Sequence, residues 1–385
     1  MLKPTYREQI EARLRVSFFD FVVWSVILTL ALLIALTAVL GIERVGLQVA
    51  FMKYDEVALV YQIWTAPINN PDDAEQVTFL ENGVFDFDTS PDGNFIAYSV
   101  QDFTTGNREI YLMDMRTKRV EQVTNCLMND SDCSSPSYSP TGDLIAYTRR
   151  SFNSQLGLGL GAPRIWVVDL RVDPPANYPL FEDSQILGHS PVWSWDGSRI
   201  AFYDDNAQGI LVYHLNATDD TPLRFVPTRM GVVGALSPDG TQMIYADMLI
   251  SPEGMARGYL QIADLENNNI LSVTNPNDGY SYQSAVWSPD GNLIVFGRET
   301  GRNTQVDLLN VRDFSITPLI EDERYNHSFL RWSPDGNLLV MQRFQRYDSN
   351  GQPLSNSTTE IWTYNLQTRE LTRIAENSFF PRWLP

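Results

Sequence analysis

Lysine is almost absent from this chain, and basic residues as a whole are scarce. The 385 residues include 28 Lys and Arg against 47 Asp and Glu, and the lysines are Lys3, Lys53 and Lys118. Nucleic-acid binding depends on basic patches that displace counterions from phosphates. Because the formal net charge is −19, we expect no nucleic-acid partner. The lack of lysine beyond Lys118 also removes most lysine-based chemistry.

Motifs of covalent catalysis and phosphate binding are lacking as well. A serine hydrolase of the α/β type needs G-x-S-x-G at a turn from a strand into a helix. The nearest string is GHSPV at 188–192, which lacks the final glycine and leads into a predicted strand. The sequence contains no P-loop either. We therefore predict that the protein is not an enzyme and uses no cofactor.

Cysteine is limited to Cys126 and Cys133, which lie in a predicted link between two repeat units. Outside the cytoplasm, such a closely spaced pair predicts a disulfide. Two free thiols and a metal site are the alternatives. For a metal site, no histidine or third cysteine lies nearby in the sequence.

The sequence does contain one short stretch six times, a Ser-Pro-Asp-Gly type of turn between two apolar strands. In one copy Pro289 fixes φ, Asp290 can accept a hydrogen bond from the backbone ahead of it, and Gly291 tolerates positive φ. The six glycines stand at positions 93, 142, 197, 240, 291 and 336, a spacing of 43 to 55 residues. This period, with several short strands in each unit, predicts the blades of a β-propeller.

The turn aspartates have an alternative role as a ring of metal-binding carboxylates. Their spacing is that of the repeat, and each has a local turn to stabilise. We therefore predict a structural turn role, and no metal site, for Asp92, Gly93, Asp196, Gly197, Asp239, Gly240, Asp290, Gly291, Asp335 and Gly336.

The full unit resembles the repeat of TolB-like, WD-type β-propellers. The resemblance lies in WSPDG and a following strand of the type IAY, then a strand such as IYLMDM at 110–115 and VTN at 123–125. The same repeat occurs in the propeller domains of prolyl-oligopeptidase-type peptidases. The resemblance covers residues 46–385 and implies a scaffold that serves binding proteins and enzymes alike.

The resemblance also makes the three histidines candidates for a metal site, because some TolB-type lyases are understood to hold a metal through several histidines over the channel. His189 and His327 each stand just before a predicted first strand. His214 is on a predicted third strand of the blade that His189 enters. We therefore expect polar residues at blade entrances rather than a metal centre.

The two ends of the repeat region complement each other. Residues 46–52, 62–64 and 76–78 resemble the second, third and fourth strands of a blade that lacks its first strand. Pro381-Arg382-Trp383 resembles a first strand with no successors. We therefore predict an all-β, seven-bladed β-propeller that is closed by its C-terminal strand, with a six-bladed ring as the alternative.

One uncharged stretch, residues 21–40, precedes the repeats. At about 1.5 Å per residue it spans about 30 Å, the thickness of a bilayer core. A cleaved signal peptide is the alternative, but its apolar region is only about 7–15 residues long. Basic residues before the stretch favour a cytoplasmic N-terminus. We predict a cytoplasmic tail at 1–16, a transmembrane helix at 17–41, and a propeller ectodomain at 42–385 in the periplasm or extracellular space.

Two predicted connections between second and third strands are long, residues 149–163 and 343–359. In a propeller these loops share one face with the links between blades, and the Ser-Pro-Asp-Gly turns occupy the other face. Loops of irregular length on a rigid ring often carry binding specificity. We therefore expect a protein partner on the face of the long loops.

These features favour a non-enzymatic, membrane-anchored propeller that serves as a protein-interaction scaffold or as an accessory subunit of a membrane complex. A receptor for a small peptide or glycan in the central channel is one alternative. A lyase or hydrolase that works in that channel is another. Convergence of the three histidines would favour the enzyme, and a dry, narrow channel would count against the receptor.

The predicted anchor leads to a first test. Because residues 21–40 are followed by no small-x-small cleavage site, the mature protein should keep Met1 or its neighbours and should require detergent for extraction. N-terminal sequencing of the purified protein measures this. A sequence that begins near residue 39 would show a cleaved signal peptide instead.

Overall fold

The computed structural model describes residues 46–153, 158–217, 222–252 and 254–385. These residues form seven antiparallel sheets with two short 3-10 helices, Pro71–Asp73 and Leu127–Asn129. The predicted tail at 1–16 and the predicted span at 17–41 lie outside the described residues. Within the described ranges, no helix combines the length and apolarity that a membrane crossing requires.

Each sheet is one blade. Blade 1 includes β1 (Gln48–Asp55), β2 (Val60–Pro67) and β3 (Glu75–Gln76), and blade 2 consists of β4 (Asp86–Thr89), β5 (Phe95–Gln101), β6 (Arg108–Asp114) and β7 (Val120–Gln122). Blade 3 consists of β8 (Ser131–Tyr138), β9 (Leu144–Asn153), β10 (Leu158–Leu160), β11 (Arg164–Asp169) and β12 (Ala176–Pro179). Blade 4 consists of β13 (His189–Trp193), β14 (Arg199–Asp204), β15 (Gly209–His214) and β16 (Leu223–Pro227).

The remaining blades follow the same order. Blade 5 consists of β17 (Ala235–Leu236), β18 (Gln242–Ile250), β19 (Ala256–Asp264) and β20 (Asn269–Ser272). Blade 6 consists of β21 (Ser281–Trp287), β22 (Leu293–Glu299), β23 (Thr304–Asn310) and β24 (Ile316–Ile320). Blade 7 consists of β25 (Tyr325–Trp332), β26 (Leu338–Gln345), β27 (Thr359–Asn365) and β28 (Leu371–Glu376), and β29 (Ser378–Leu384) follows it.

The C-terminal strand closes the ring. β29 pairs antiparallel with β1, with Gln48 opposite Leu384 and Lys53 opposite Ser378, and so becomes the first strand of blade 1. The first strands of consecutive blades contact one another all the way round, from β4 through β8, β13, β17, β21 and β25 to β29 and back to β4. The predicted seven-bladed, all-β propeller is confirmed, and the six-bladed alternative is wrong.

The second strands form the core because both of their faces are covered by neighbouring blades. In β22, Ile294 and Phe296 pack towards blade 5, whereas Val295 packs towards blade 7 beside Trp332. All three β22 side chains are fully buried. Burial of one such side chain contributes about 1.5–3 kcal/mol. Apolar residues follow one another in β22 instead of alternating with polar residues, as expected for a strand whose two faces are both covered.

The repeated turn is stabilised by its own side chains. The Ser288 hydroxyl accepts a hydrogen bond from the Leu293 backbone nitrogen at 2.9 Å and donates to Asp290 Oδ1 at 2.6 Å. Asp290 Oδ1 also accepts from the Asn292 backbone nitrogen at 3.1 Å. Gly291 follows at φ 71°, in the left-handed region. The sequence therefore specifies this turn locally.

The propeller has two unlike ends. We call the end with the Ser-Pro-Asp-Gly turns the turn face, and the end with the links between blades and the connections from second to third strands the loop face. β1 begins at the turn face, because Gln48 lies opposite Leu384 at the end of β29. Part of the predicted loop at residues 149–163 is β-strand, because β9 continues to Asn153 and pairs with β10.

The closure makes a second test available at two equivalent glycines. A β-carbon at Gly93 (φ +70°) would overlap the carbonyl oxygen of Pro385, whereas at Gly142 (φ +75°) it would lie 3.6 Å from the Pro91 ring. Alanine carries a similar backbone penalty at both sites. We therefore expect Gly93→Ala to lower the melting temperature more than Gly142→Ala, as measured by calorimetry.

The control removes the overlapping group. Deletion of Pro385 should recover most of the additional loss caused by Gly93→Ala and should leave Gly142→Ala unchanged. Equal losses for the two alanine variants would show that the end of β29 does not pack against the turn at Gly93.

Candidate functional site

The loop face carries a disulfide where blade 2 leads into blade 3. The structure joins Cys126 and Cys133, both buried, which is consistent with the predicted pairing. The sequence pattern predicts both cysteines in the link, but Cys133 lies on β8, because that strand already begins at Ser131, which pairs with Ser151. The bond therefore ties the link to the innermost strand of blade 3.

Glu109 fixes the start of this loop from within the protein. Its side chain is 2% exposed, and Oε1 accepts a hydrogen bond from the Leu127 backbone nitrogen at 2.7 Å. Oε2 accepts from the Thr124 hydroxyl at 2.5 Å. Such donors are what a buried carboxylate requires. The tip of the loop points outward, and Met128 there is 87% exposed.

A cleft of about 300 Å³ adjoins the disulfide loop. Its lining residues are Asn125, Asn129, Tyr147, Arg149, Trp166 and Asn177. The Tyr147 hydroxyl donates to Asn177 Oδ1 at 3.1 Å, and burial raises the pKa of Tyr147, which keeps the phenol neutral. Amide and guanidinium groups beside an aromatic ring suit a polar segment of a partner.

Arg149 lies over Trp166, with the guanidinium carbon 4.2 Å from the ring centre. Its Nη2 atom donates to the Ser131 hydroxyl at 3.1 Å. Blade 7 repeats the arrangement, with Arg343 lying 4.7 Å from the Trp362 ring centre. The stack of a cation on an aromatic ring is therefore a feature of the blades. What distinguishes the cleft is the neighbouring disulfide loop with its asparagines.

The second long connection, between β26 and β27, stands beside another set of stacked side chains. Arg343 also lies 3.9 Å from the Tyr325 ring centre and forms an ion pair with Asp322 at 3.2 Å. Arg302, from blade 6, lies 4.8 Å from the Tyr347 ring centre. These contacts join the connection to the blade 6 side of the loop face.

The three histidines are apart from one another. His327 lies on β25 with Nδ1 2.7 Å from the Thr304 carbonyl oxygen, and burial lowers its pKa to about 4, so it is neutral at pH 7. His189 lies on β13, 3.6 Å from Asp205, and His214 lies on the third strand of the same blade. Among the described residues, no three His, Cys, Asp or Glu side chains group so as to hold a metal ion.

The turn aspartates also occupy separate blades. Each accepts a hydrogen bond from the backbone nitrogen two residues ahead, at 3.0 to 3.1 Å, and the glycine that follows has φ of 70 to 72°. The Ser288 hydroxyl and then Asn292 hold the pKa of Asp290 below its usual value. The structure thus shows each aspartate engaged in its own turn. The residues are Asp92, Asp196, Asp239, Asp290 and Asp335.

The cleft was not predicted from the sequence, although the sequence contains one signal of it. In four blades a basic residue stands seven positions after the turn glycine, if Gly46 is counted as a turn glycine. These residues are Lys53, Arg149, Arg298 and Arg343. In blades 1, 3 and 7 this cation lies over the tryptophan of the third strand. Nothing in the sequence spacing shows that Asn129 lies beside the stack of blade 3.

Neither a comparison with protein-family models nor a search of curated proteins finds a match. Solved structures do match. A puromycin-hydrolyzing peptidase from Mycobacterium tuberculosis is 10% identical with a TM-score of 0.62, over 87% of this chain and 54% of that chain. Oligogalacturonate lyase from Vibrio parahaemolyticus is 13% identical with a TM-score of 0.55, over 86% of this chain and 85% of that chain.

TolB from Acinetobacter baumannii is also among the similar structures. It is 18% identical with a TM-score of 0.49, over 88% of this chain and 66% of that chain. The chain thus spans about two thirds of that TolB and 54% of the peptidase. At these identities, the similarities show the β-propeller fold alone.

The disulfide provides a third test. The Cys126–Cys133 bond closes a ring of eight residues, which the chain-entropy model values at about 2.5 kcal/mol. Cys126→Ser combined with Cys133→Ser should therefore lower the melting temperature by about 3–4 °C in a domain of this size. Thiol titration of the unfolded parent chain without reductant should detect no free thiol. Two free thiols in the parent chain, or a double variant with the same melting temperature as the parent, would contradict the assignment of the disulfide.

Proposed function

We propose that this chain is a non-enzymatic, membrane-anchored propeller that binds a protein partner through its loop face, as an interaction scaffold or accessory subunit. The proposal rests on the difference between the two faces of the propeller. On the turn face, five turns repeat with nearly the same hydrogen bonds. On the loop face, the connections differ and include the disulfide loop and the cleft. A rigid ring lets such loops vary without loss of the fold.

The chemistry of the loop face supports a protein partner. Met128 at the tip of the disulfide loop is exposed, and the cleft beside it offers asparagine side chains and the Trp166 ring. Methionine, arginine and aromatic residues are enriched at protein interfaces. The lack of a G-x-S-x-G motif and of a P-loop supports the non-enzymatic part of the proposal.

The predicted anchor would be joined to the propeller by a short segment. If residues 21–40 span a membrane, only the residues from 41 to 47 separate that span from β1. β1 begins at the turn face. The disulfide favours an oxidising compartment, which agrees with a propeller outside the cytoplasm.

Charge narrows the class of partner. Residues 42–385 hold 44 acidic and 24 basic side chains. A surface with this excess attracts basic surfaces and repels acidic ones, which affects association rates and specificity. We therefore expect the partner to present a basic or neutral surface.

The fourth test compares variants of the two faces. Met128→Ser and a short Gly-Ser link in place of residues 346–358 alter the loop face, and we expect them to reduce partner capture at unchanged folding. Arg116→Ala with Lys118→Ala alters exposed side chains between β6 and β7 on the turn face and serves as the control. Tagged full-length chain purified from native membranes, with quantitative mass spectrometry, measures capture. Loss in the control alone would place the interface on the turn face.

A further inference from the structure

The innermost strands contain the same irregularity in five blades. Three residues before the tryptophan or tyrosine near its end, each of these strands has a β-bulge at which one residue adopts positive φ. Blades 3, 4 and 6 place a serine there, whereas blades 7 and 1 place a phenylalanine. The φ values are 55° for Ser135, 56° for Ser190, 57° for Ser284, 52° for Phe329 and 54° for Phe380.

The two phenylalanines are exposed in spite of their position on the innermost strands. Phe329 is 38% and Phe380 is 40% exposed, and their ring centres lie 4.8 Å apart at an interplanar angle of 89°. Positive φ is unusual for a bulky side chain. Since three sister blades fold with serine at this position, ring closure does not require an aromatic side chain there.

Two arginines follow on the same strands. Arg382 forms an ion pair with Asp88 of blade 2 at 3.2 Å. Arg331 is exposed on the innermost strand of blade 7, and its Nη1 atom donates at 3.4 Å to the carbonyl of its neighbour Leu330. Within the described ranges, no carboxylate forms an ion pair with Arg331.

The surroundings of Arg331 explain why its charge needs a counter-ion. Desolvation of the guanidinium within the ring, and then the positive charge of Arg382, lower the pKa of Arg331 to about 10, so the group remains charged at pH 7. Asp88 is its acidic neighbour, and that carboxylate is already engaged by Arg382. The channel thus holds a cation without its own anion, beside an exposed aromatic pair.

We propose that the central channel binds a monocarboxylate with an aromatic or other large apolar group, the carboxylate on Arg331 and the apolar group on Phe329 and Phe380. A guanidinium binds a carboxylate through two parallel hydrogen bonds. The negative charge of Asp88 nearby favours an anion of one charge over a dianion. Free aromatic acids and the C-terminal residue of a peptide share this chemistry.

The order of the residues sets the direction of entry. First strands begin at the loop face, so Phe329 precedes Arg331 and Phe380 precedes Arg382 on the way to the turn face. The ligand therefore enters from the loop face with its carboxylate first. This site does not depend on the proposed protein partner, because it uses the channel wall and none of the long loops.

The test uses the full-length chain in detergent, with N-acetylphenylalanine and N-acetylphenylalaninamide as probes in isothermal titration. We expect the acid to bind and the amide to bind at least about tenfold more weakly, as for a lost charged hydrogen bond. Arg331→Gln should weaken binding of the acid to a similar degree. Phe329→Ser, which copies the sister blades, should fold normally and weaken it several-fold. Arg116→Gln on the turn face is the matched control and should bind like the parent.

A tetrapeptide that ends in phenylalanine, in its acid and amide forms, distinguishes the two sources. Tighter binding of the peptide acid than of N-acetylphenylalanine indicates a peptide C-terminus, and equal binding indicates a small acid. The proposal is wrong if neither acid binds at millimolar concentration, if acid and amide bind equally, or if Arg331→Gln binds like the parent. The variant with shortened residues 346–358 should retain the probe even if it fails to capture a protein.

Discussion

Each blade buries its two apolar faces only while both neighbours remain in place, so the packing of the core depends on a closed ring. A hydrogen bond crosses each of the seven junctions, and indole nitrogens are the donors at four of them. The bonds are Thr89 Oγ1 to Trp383 O at 2.7 Å, Ser135 N to Asp86 Oδ2 at 2.7 Å, Trp193 Nε1 to Ser137 O at 3.1 Å, Asp196 N to Pro238 O at 3.1 Å, and Trp287 Nε1 to Ala235 O, Trp332 Nε1 to Val286 O and Trp383 Nε1 to Arg331 O, each at 3.2 Å.

The sequence predicts the blades well because the turn that defines them is local. Ser288, Asp290 and Gly291 stabilise one hairpin without help from other blades. Closure of the ring was predictable from a local pattern as well, because Pro381-Arg382-Trp383 has the sequence of a first strand. The junctions without a motif tryptophan were not predictable. At Thr89 a hydroxyl replaces the indole, and Asp86 accepts from a backbone nitrogen 49 residues away.

The candidate site was less accessible to sequence reasoning. Its location on the loop face follows from topology, and the cysteine pair marks the loop. The wall of the cleft, by contrast, depends on strand register. Arg149 and Trp166 come together because Tyr147 of β9 lies opposite Trp166 of β11, which the sequence spacing does not state. The positive φ of Phe329 was likewise hidden, since no glycine or asparagine marks that bulge.

Seven copies of one blade allow the demands of the fold to be separated from those of function, because equivalent positions face the same packing. A side chain that recurs in several blades, such as the cation on a tryptophan ring, is explained by the blade itself. A side chain that departs from its equivalents requires another cause. Phe329 and Arg331 depart together, two positions apart on one innermost strand, and Phe380 and Arg382 repeat the departure on the next blade. Two neighbouring blades that differ from the others in the same two ways mark a region of the channel that the common structure of the blade does not explain.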